Sequence, residues 1–254
     1  MWSLGDLHSD LSTLNRLIGK YEVPVQQKEL YSLETNLQGR KLDVNDVSYI
    51  ISDIEFELTE TISSTVPREV GSFSFFLSIN FIPDYSKNFF QEDPFYNEKV
   101  KLNGNEPPVN SYSMQLVIIG YSNSHEGDLY NCWHLDRHIT GGGSSKVVHP
   151  FYHFQNGGNK MEEFNDLVKS VVFTGAPRIP HPPMDLFLAF HFVITNFYSQ
   201  NSMKNIAALL NDEDYEAIIC RAQERMWKPY YSAFNGGGHT HYTINAITPL
   251  YTVH

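Results

Sequence analysis

The segment from 132 to 155, CWHLDRHITGGGSSKVVHPFYHFQ, carries four of the chain's eleven histidines and one aspartate. Imidazole nitrogens and a carboxylate oxygen form a donor set for zinc, manganese or iron, and histidine also moves protons near neutral pH. Residues 129–138 read as one strand and 149–155 as the next. Side chains alternate along a strand, so His134, Asp136 and His138 share a face, as do His149, Phe151, His153 and Gln155. With His138 set opposite His149 across the ITGGGSSKVV loop, Asp136 faces Phe151 and His134 faces His153. Directly opposed side chains in an antiparallel pair hold their Cβ atoms about 4.5–5.5 Å apart, close enough to share an ion. His134, Asp136, His138, His149 and His153 are therefore the candidate catalytic residues and metal ligands. A divalent metal (zinc, manganese or iron) is the candidate cofactor. It would polarise a substrate and lower the pKa of a bound water while a spare histidine carries the proton. The plainer alternative is a ladder of structural histidines, because a one-residue slip sends one strand's set to the opposite face.

Other polar residues are candidates for substrate binding. His239 and His241 share a strand face and follow three glycines that allow close backbone approach to a ligand. Arg178 and His181, in the proline-stiffened string RIPHPPMD, precede a helix whose free N–H groups favour an anion. Cys132 lies on the strand parity of His134, which raises the question of a thiol nucleophile. His191, inside an apolar helix, reads as a hydrogen-bonded core residue. No Walker loop, GxSxG elbow or CxxC pair is present.

The triplets His138-Ile139-Thr140 and His241-Tyr242-Thr243 resemble the two His-x-Thr elements of the two-histidine phosphodiesterases. In that family one histidine is the base, the other the acid, and the threonine hydroxyls bind phosphate. The resemblance is confined to the two triplets, and Gly141 departs from the pattern at the fourth position.

These residues need elements to hold them. Leu4, Leu7, Leu11, Leu14 and Ile18 follow a 3-4-3-4 spacing and predict an amphipathic helix closed by Pro24. Its stripe packs on the protein's own core or on a partner. A shorter helix is expected over 28–37. From residue 49 the period changes to two, with Ile54, Phe56 and Leu58 alternating with Asp53, Glu55 and Glu57. FSFFLSINFIP repeats the pattern, MQLVIIGY at 114–121 reads as a strand buried on both faces, and SVVFTG at 170–175 as a sixth strand. Pro182 or Pro183 can open the helix DLFLAFHFVITNF, which is apolar on every side. Asn211 caps a last amphipathic helix, with Tyr215, Ile218, Ile219, Ala222 and Met226 as its stripe and Pro229 as its end.

The expected architecture is a single α+β domain over 1–254: N-terminal amphipathic helix, central largely antiparallel sheet, C-terminal helices. Residues 1–24 read as a helical arm and 84–112 as a long loop or insertion. A net charge of -11 disfavours duplex nucleic acid, which demands a basic surface. Two cysteines in 254 residues, no leader-like start and no long apolar run suggest a cytoplasmic protein that does not enter a membrane. Two functions stand as expectations. One is a metal-dependent hydrolase acting on a phosphoester or nucleotide through the His/Asp face. The other is a non-catalytic subunit that docks on a protein partner through the Leu4 to Ile18 stripe and aromatic-rich surface.

Overall fold

The computed structural model describes residues 3–40, 47–65, 67–83, 111–122, 127–137, 152–157, 159–164, 178–199 and 203–232. Helix α1 (Leu4–Lys20) opens on a reciprocal cap: Ser3 Oγ accepts from the Asp6 N–H at 3.1 Å, and the Asp6 carboxylate accepts from the Ser3 N–H at 2.8 Å. Helix α2 (Lys28–Gln38) follows. Among the described residues six strands then form one antiparallel sheet in sequence order: β1 (Tyr49–Leu58), β2 (Val70–Ile82), β3 (Ser111–Ser122), β4 (Leu129–Arg137), β5 (Tyr152–Asn156) and β6 (Ile179–Pro180). The one-turn helix α3 (Asn159–Glu162) lies between β5 and β6. Helices α4 (Leu186–Phe197), α5 (Lys204–Leu210) and α6 (Glu213–Ser232) end the described fold. It is the α+β arrangement expected.

One cross-strand row, Ile51–Ile79–Met114–Leu135–Phe154, shows how the sheet faces the core. Its neighbours on the same face, including Phe56, Phe75 and Leu77, are fully buried under α2 and α4. Between Ile51 and Ile54 the pairing of β1 slips, and Asp53 adopts a left-handed φ of 56°. This bulge resets the alternation, so Tyr49 and Ile51 before it and Ile54 and Phe56 after it all reach the core. Helix α4 is apolar all round because it lies in the middle: Phe190 meets Phe56 from β1, and Phe197 meets Phe75 from β2.

Several sequence expectations change. The stripe Leu4, Leu7, Leu11, Leu14 and Ile18, for which the spacing leaves both the protein's own core and a partner open, is 0–1% exposed and buried in the core, so residues 1–24 do not form a free arm. Helix α1 packs on α2 and α6, so its apolar face is already covered. Helix α4 starts neither at Pro182 nor at Pro183 but at Leu186, because the Asp185 carboxylate caps the Leu188 N–H at 3.0 Å. Helix α6 is capped one residue later than expected, by Asp212 accepting from the Asp214 N–H, and it runs through Pro229 to Ser232. A proline near the end of a helix removes one bond without stopping it. The possible strand at 170–175 and nearly all of the loop at 84–112 lie outside the described residues. No helix among the described residues is long and apolar enough to cross a membrane.

Asp212 also ties α6 to α1. It accepts from the Lys20 ammonium at 2.8 Å and the Tyr21 hydroxyl at 2.7 Å, and these two donors hold its carboxyl down at about 2. A depressed folded value means that the stabilisation is complete above the ordinary value of 3.8 and disappears as pH falls toward about 2. Asp212→Ala should therefore be less stable than the parent in urea at pH 7, with the gap narrowing below pH 4. A gap that stays constant with pH would refute this assignment.

Candidate metal centre

The face of the sheet away from the main helical layer carries the polar candidates. On β4, Cys132, His134 and Asp136 alternate with the core-facing Trp133 and Leu135. Pairing with β3 sets Gln115 opposite His134 and Ser113 opposite Asp136. Pairing with β5 sets Gln155 opposite His134 and His153 opposite Asp136. The expected register, with His134 facing His153, is therefore displaced by two residues. A shift of two preserves every face because the strand period is two, so the three groups still meet. A loop as long as the one between these strands does not impose a register by itself. The core row Leu135–Phe154 does, since it stacks Phe154 on Trp133 at 5.0 Å and sets it edge to face with Phe192 of α4 at 5.3 Å.

The donor atoms of His134, Asp136 and His153 all lie within 4.8 Å of one another. His134 Nε2 is 3.4 Å from Asp136 Oδ2, and the two imidazole rings meet edge to face at 6.0 Å. Ligands bound tetrahedrally at ~2.0–2.1 Å stand roughly 3.3–3.4 Å apart, so one edge of such a site is already formed. The other nitrogen of His134, Nδ1, is 3.2 Å from the Gly157 carbonyl oxygen. As a donor to that oxygen, Nδ1 carries the proton and leaves the Nε2 lone pair for an ion, the usual outer-shell arrangement of a ligating histidine. Gly157 holds its carbonyl there with a φ of 87°, accessible to glycine, while its N–H donates to the Cys132 carbonyl at 2.8 Å. The glycine pair after β5 signals a turn in the sequence. Its service to His134 is visible only once the strands are paired.

Exposure is graded across the cluster. The His153 residue is 3% exposed, the His134 side chain 14% and the Asp136 side chain 41%. Burial raises the Asp136 carboxyl above its ordinary value, and the neighbouring His134 works in the opposite direction. The arrangement offers three ligands with solvent on one side, which leaves room for water or substrate, as catalytic rather than structural metal sites do.

Other candidates fall elsewhere. Cys132 is a free thiol that burial pushes up to about 12, so it stays protonated and is no nucleophile. It packs with Val117 and Met161 in a small apolar cluster beside the triad. His181 lies on the opposite face, 5.6 Å from the Phe154 ring, with Nδ1 2.7 Å from the Pro182 carbonyl, and burial lowers its pKa. The anion expected at the start of the following helix is supplied by the chain itself, as the Asp185 carboxylate. His191 meets the Tyr215 hydroxyl at 3.2 Å, a core hydrogen bond between α4 and α6. His138, His149, His239 and His241, and with them both His-x-Thr triplets, lie outside the described residues.

Comparison with known proteins adds no identity: no family model, no curated protein and no solved structure matches this chain.

Proposed function

We propose that the chain is a metal-dependent hydrolase of phosphoesters or nucleotides, with His134, Asp136 and His153 holding one divalent ion. The observation that carries this reading is the convergence of two imidazoles and one carboxylate within 4.8 Å on a single sheet face. Two histidines and a carboxylate suit zinc with an open fourth position, and equally the facial sites of iron. Held by His134, Asp136 and His153, such an ion would lower the pKa of a bound water and so supply a hydrolytic nucleophile near neutral pH. Hydrolysis would then add one water across the ester bond: its oxygen to phosphorus as the bond to the leaving oxygen breaks, and the proton it gave up to that leaving oxygen. The charge of -11 favours small phosphorylated substrates over long nucleic acid. Free Cys132 and Cys220 accord with the reducing, cytoplasmic setting that belongs to this reading. The alternative of a docking subunit loses its main support with the burial of the α1 stripe.

Elemental mass spectrometry of the purified, tag-free protein, beside a His134→Ala/His153→Ala variant, tests the proposal. About one zinc, manganese or iron per chain is expected in the parent and none in the variant, with loss of phosphoester hydrolysis in step. Absence of metal from the parent, even after incubation with each ion, would sink the reading.

A further inference from the structure

Arg178, immediately before β6, buries its Nε and Nη1 atoms with no hydrogen-bond partner, and no carboxylate among the described residues pairs with it. A guanidinium carries a permanent charge and five donors. Buried donors without acceptors are rare in folded proteins, because nothing offsets the water they gave up. This side chain is therefore prepared for an acceptor that the described chain does not itself supply.

The ladder determines where that acceptor would sit. His153 pairs with Pro180 and Phe154 with Ile179, so the register carried on by one residue sets Arg178 opposite Gln155. Gln155 is 4% exposed and in turn lies opposite His134. Residues two apart share a strand face, so Arg178 stands on the face of the triad, in the row of His134 and diagonal to His153. Diagonal neighbours across a strand pair are about 7–8 Å apart, within reach of a long side chain. The His181 N–H donates to the Tyr152 carbonyl at 3.4 Å, which places His181 with the core-facing set and leaves Arg178 with the outer one.

We infer that Arg178 and the ion held by His134, Asp136 and His153 form one oxyanion site that takes the phosphoryl group of the substrate. The ion binds one phosphoryl oxygen, and the guanidinium fork binds others. This deepens the hydrolase reading and rests on it. A phosphoryl group fits better than a carboxylate, because it can present one oxygen to the ion and still offer two to the planar fork.

Inorganic phosphate is the probe, titrated calorimetrically into protein loaded with one equivalent of zinc, with acetate as the carboxylate control. Parent, Arg178→Met and Arg178→Lys are compared, with zinc content and melting temperature recorded for each. Phosphate should bind the parent and not be matched by acetate. The Met variant should lose about tenfold or more in phosphate affinity and the Lys variant less, since it keeps charge but not the fork. Zinc content should be equal in all three, and without phosphate the Met variant should melt no lower than the parent. Unchanged phosphate affinity in a zinc-loaded Met variant would overturn the inference and leave the metal centre standing. Acetate binding as tightly as phosphate would overturn the substrate class. A Met variant melting well below the parent would make Arg178 a structural donor and overturn it too. A parent that takes up no zinc, manganese or iron would overturn the metal centre, and this inference with it.

Discussion

A chain beginning at Glu22, without α1, is expected to lose cooperative unfolding altogether. Leu4, Leu7, Leu11, Leu14, Leu17 and Ile18 are each 0–1% exposed in the core. Burying one such side chain contributes about 1.5–3 kcal/mol, so the six together contribute roughly 9–18 kcal/mol by the same scale. A whole domain is stable by only about 5–15 kcal/mol. Removing α1 also takes away its packing against α2 and α6 and the ion pairs Arg16–Asp214 and Lys20–Asp212. Thermal unfolding followed by near- and far-ultraviolet circular dichroism gives the measurement, with a dye for exposed apolar surface alongside. A truncated chain that still melts in one sharp transition would show α1 to be a detachable arm and would restore the docking reading. The milder Leu11→Ala should cost about 2–5 kcal/mol and leave a folded protein.

Arg225→Met is expected to destabilise the protein by about 3–5 kcal/mol, the cost of leaving a buried charge without its counterpart. Arg225 is 2% exposed, and its Nη2 lies 2.8 Å from Oδ2 of Asp185, which is fully buried. Its Nη1 lies 3.5 Å from Asp10 of α1, and Arg221 donates to the other oxygen of Asp10. The same Asp185 carboxylate caps α4, so one buried charge pair joins the start of α4 to α6 and, through Asp10, to α1. The guanidinium also lies 5.7 Å from the centre of the Phe187 ring, which adds a cation–π contact. Arg225→Met combined with Asp185→Asn should recover much of the loss, since asparagine still caps the helix but carries no charge. Denaturant unfolding of Arg225→Met, Asp185→Asn and the double variant checks this. Equal losses in single and double variants would mean that packing around Arg225, not the charge, is what matters.

Both predictions concern helices whose tertiary role the sequence left open. The spacing of Leu4 to Ile18 defined a helix and its apolar face, because that depends only on the 3.6-residue turn. Whether the face meets α2 and α6 or another protein depends on what the rest of the chain brings alongside. The ionic junction is harder to foresee still. Asp10, Asp185 and Arg225 are 175 and 40 residues apart, and nothing local to any of them distinguishes it from a surface charge.

The candidate site divides in the same way. Strand period by itself determined that His134 and Asp136 share a face, and that His153 shares one with Gln155, whatever the pairing. Those two facts survive a register shift of two residues, and the shift from the expected pairing was two. Which residues stand opposite each other was decided by core packing on the other side of the sheet, where Leu135, Phe154 and Phe192 lock together. Only the folded sheet brings the Gly157 carbonyl to His134, and only the β5–β6 pairing moves Arg178 from a helix terminus to the row of His134. Alternation is a property of the backbone at each residue and is written in the chain. Register, the partner of a buried charge and the neighbour across a strand are properties of distant segments in contact, and are fixed only when the core closes.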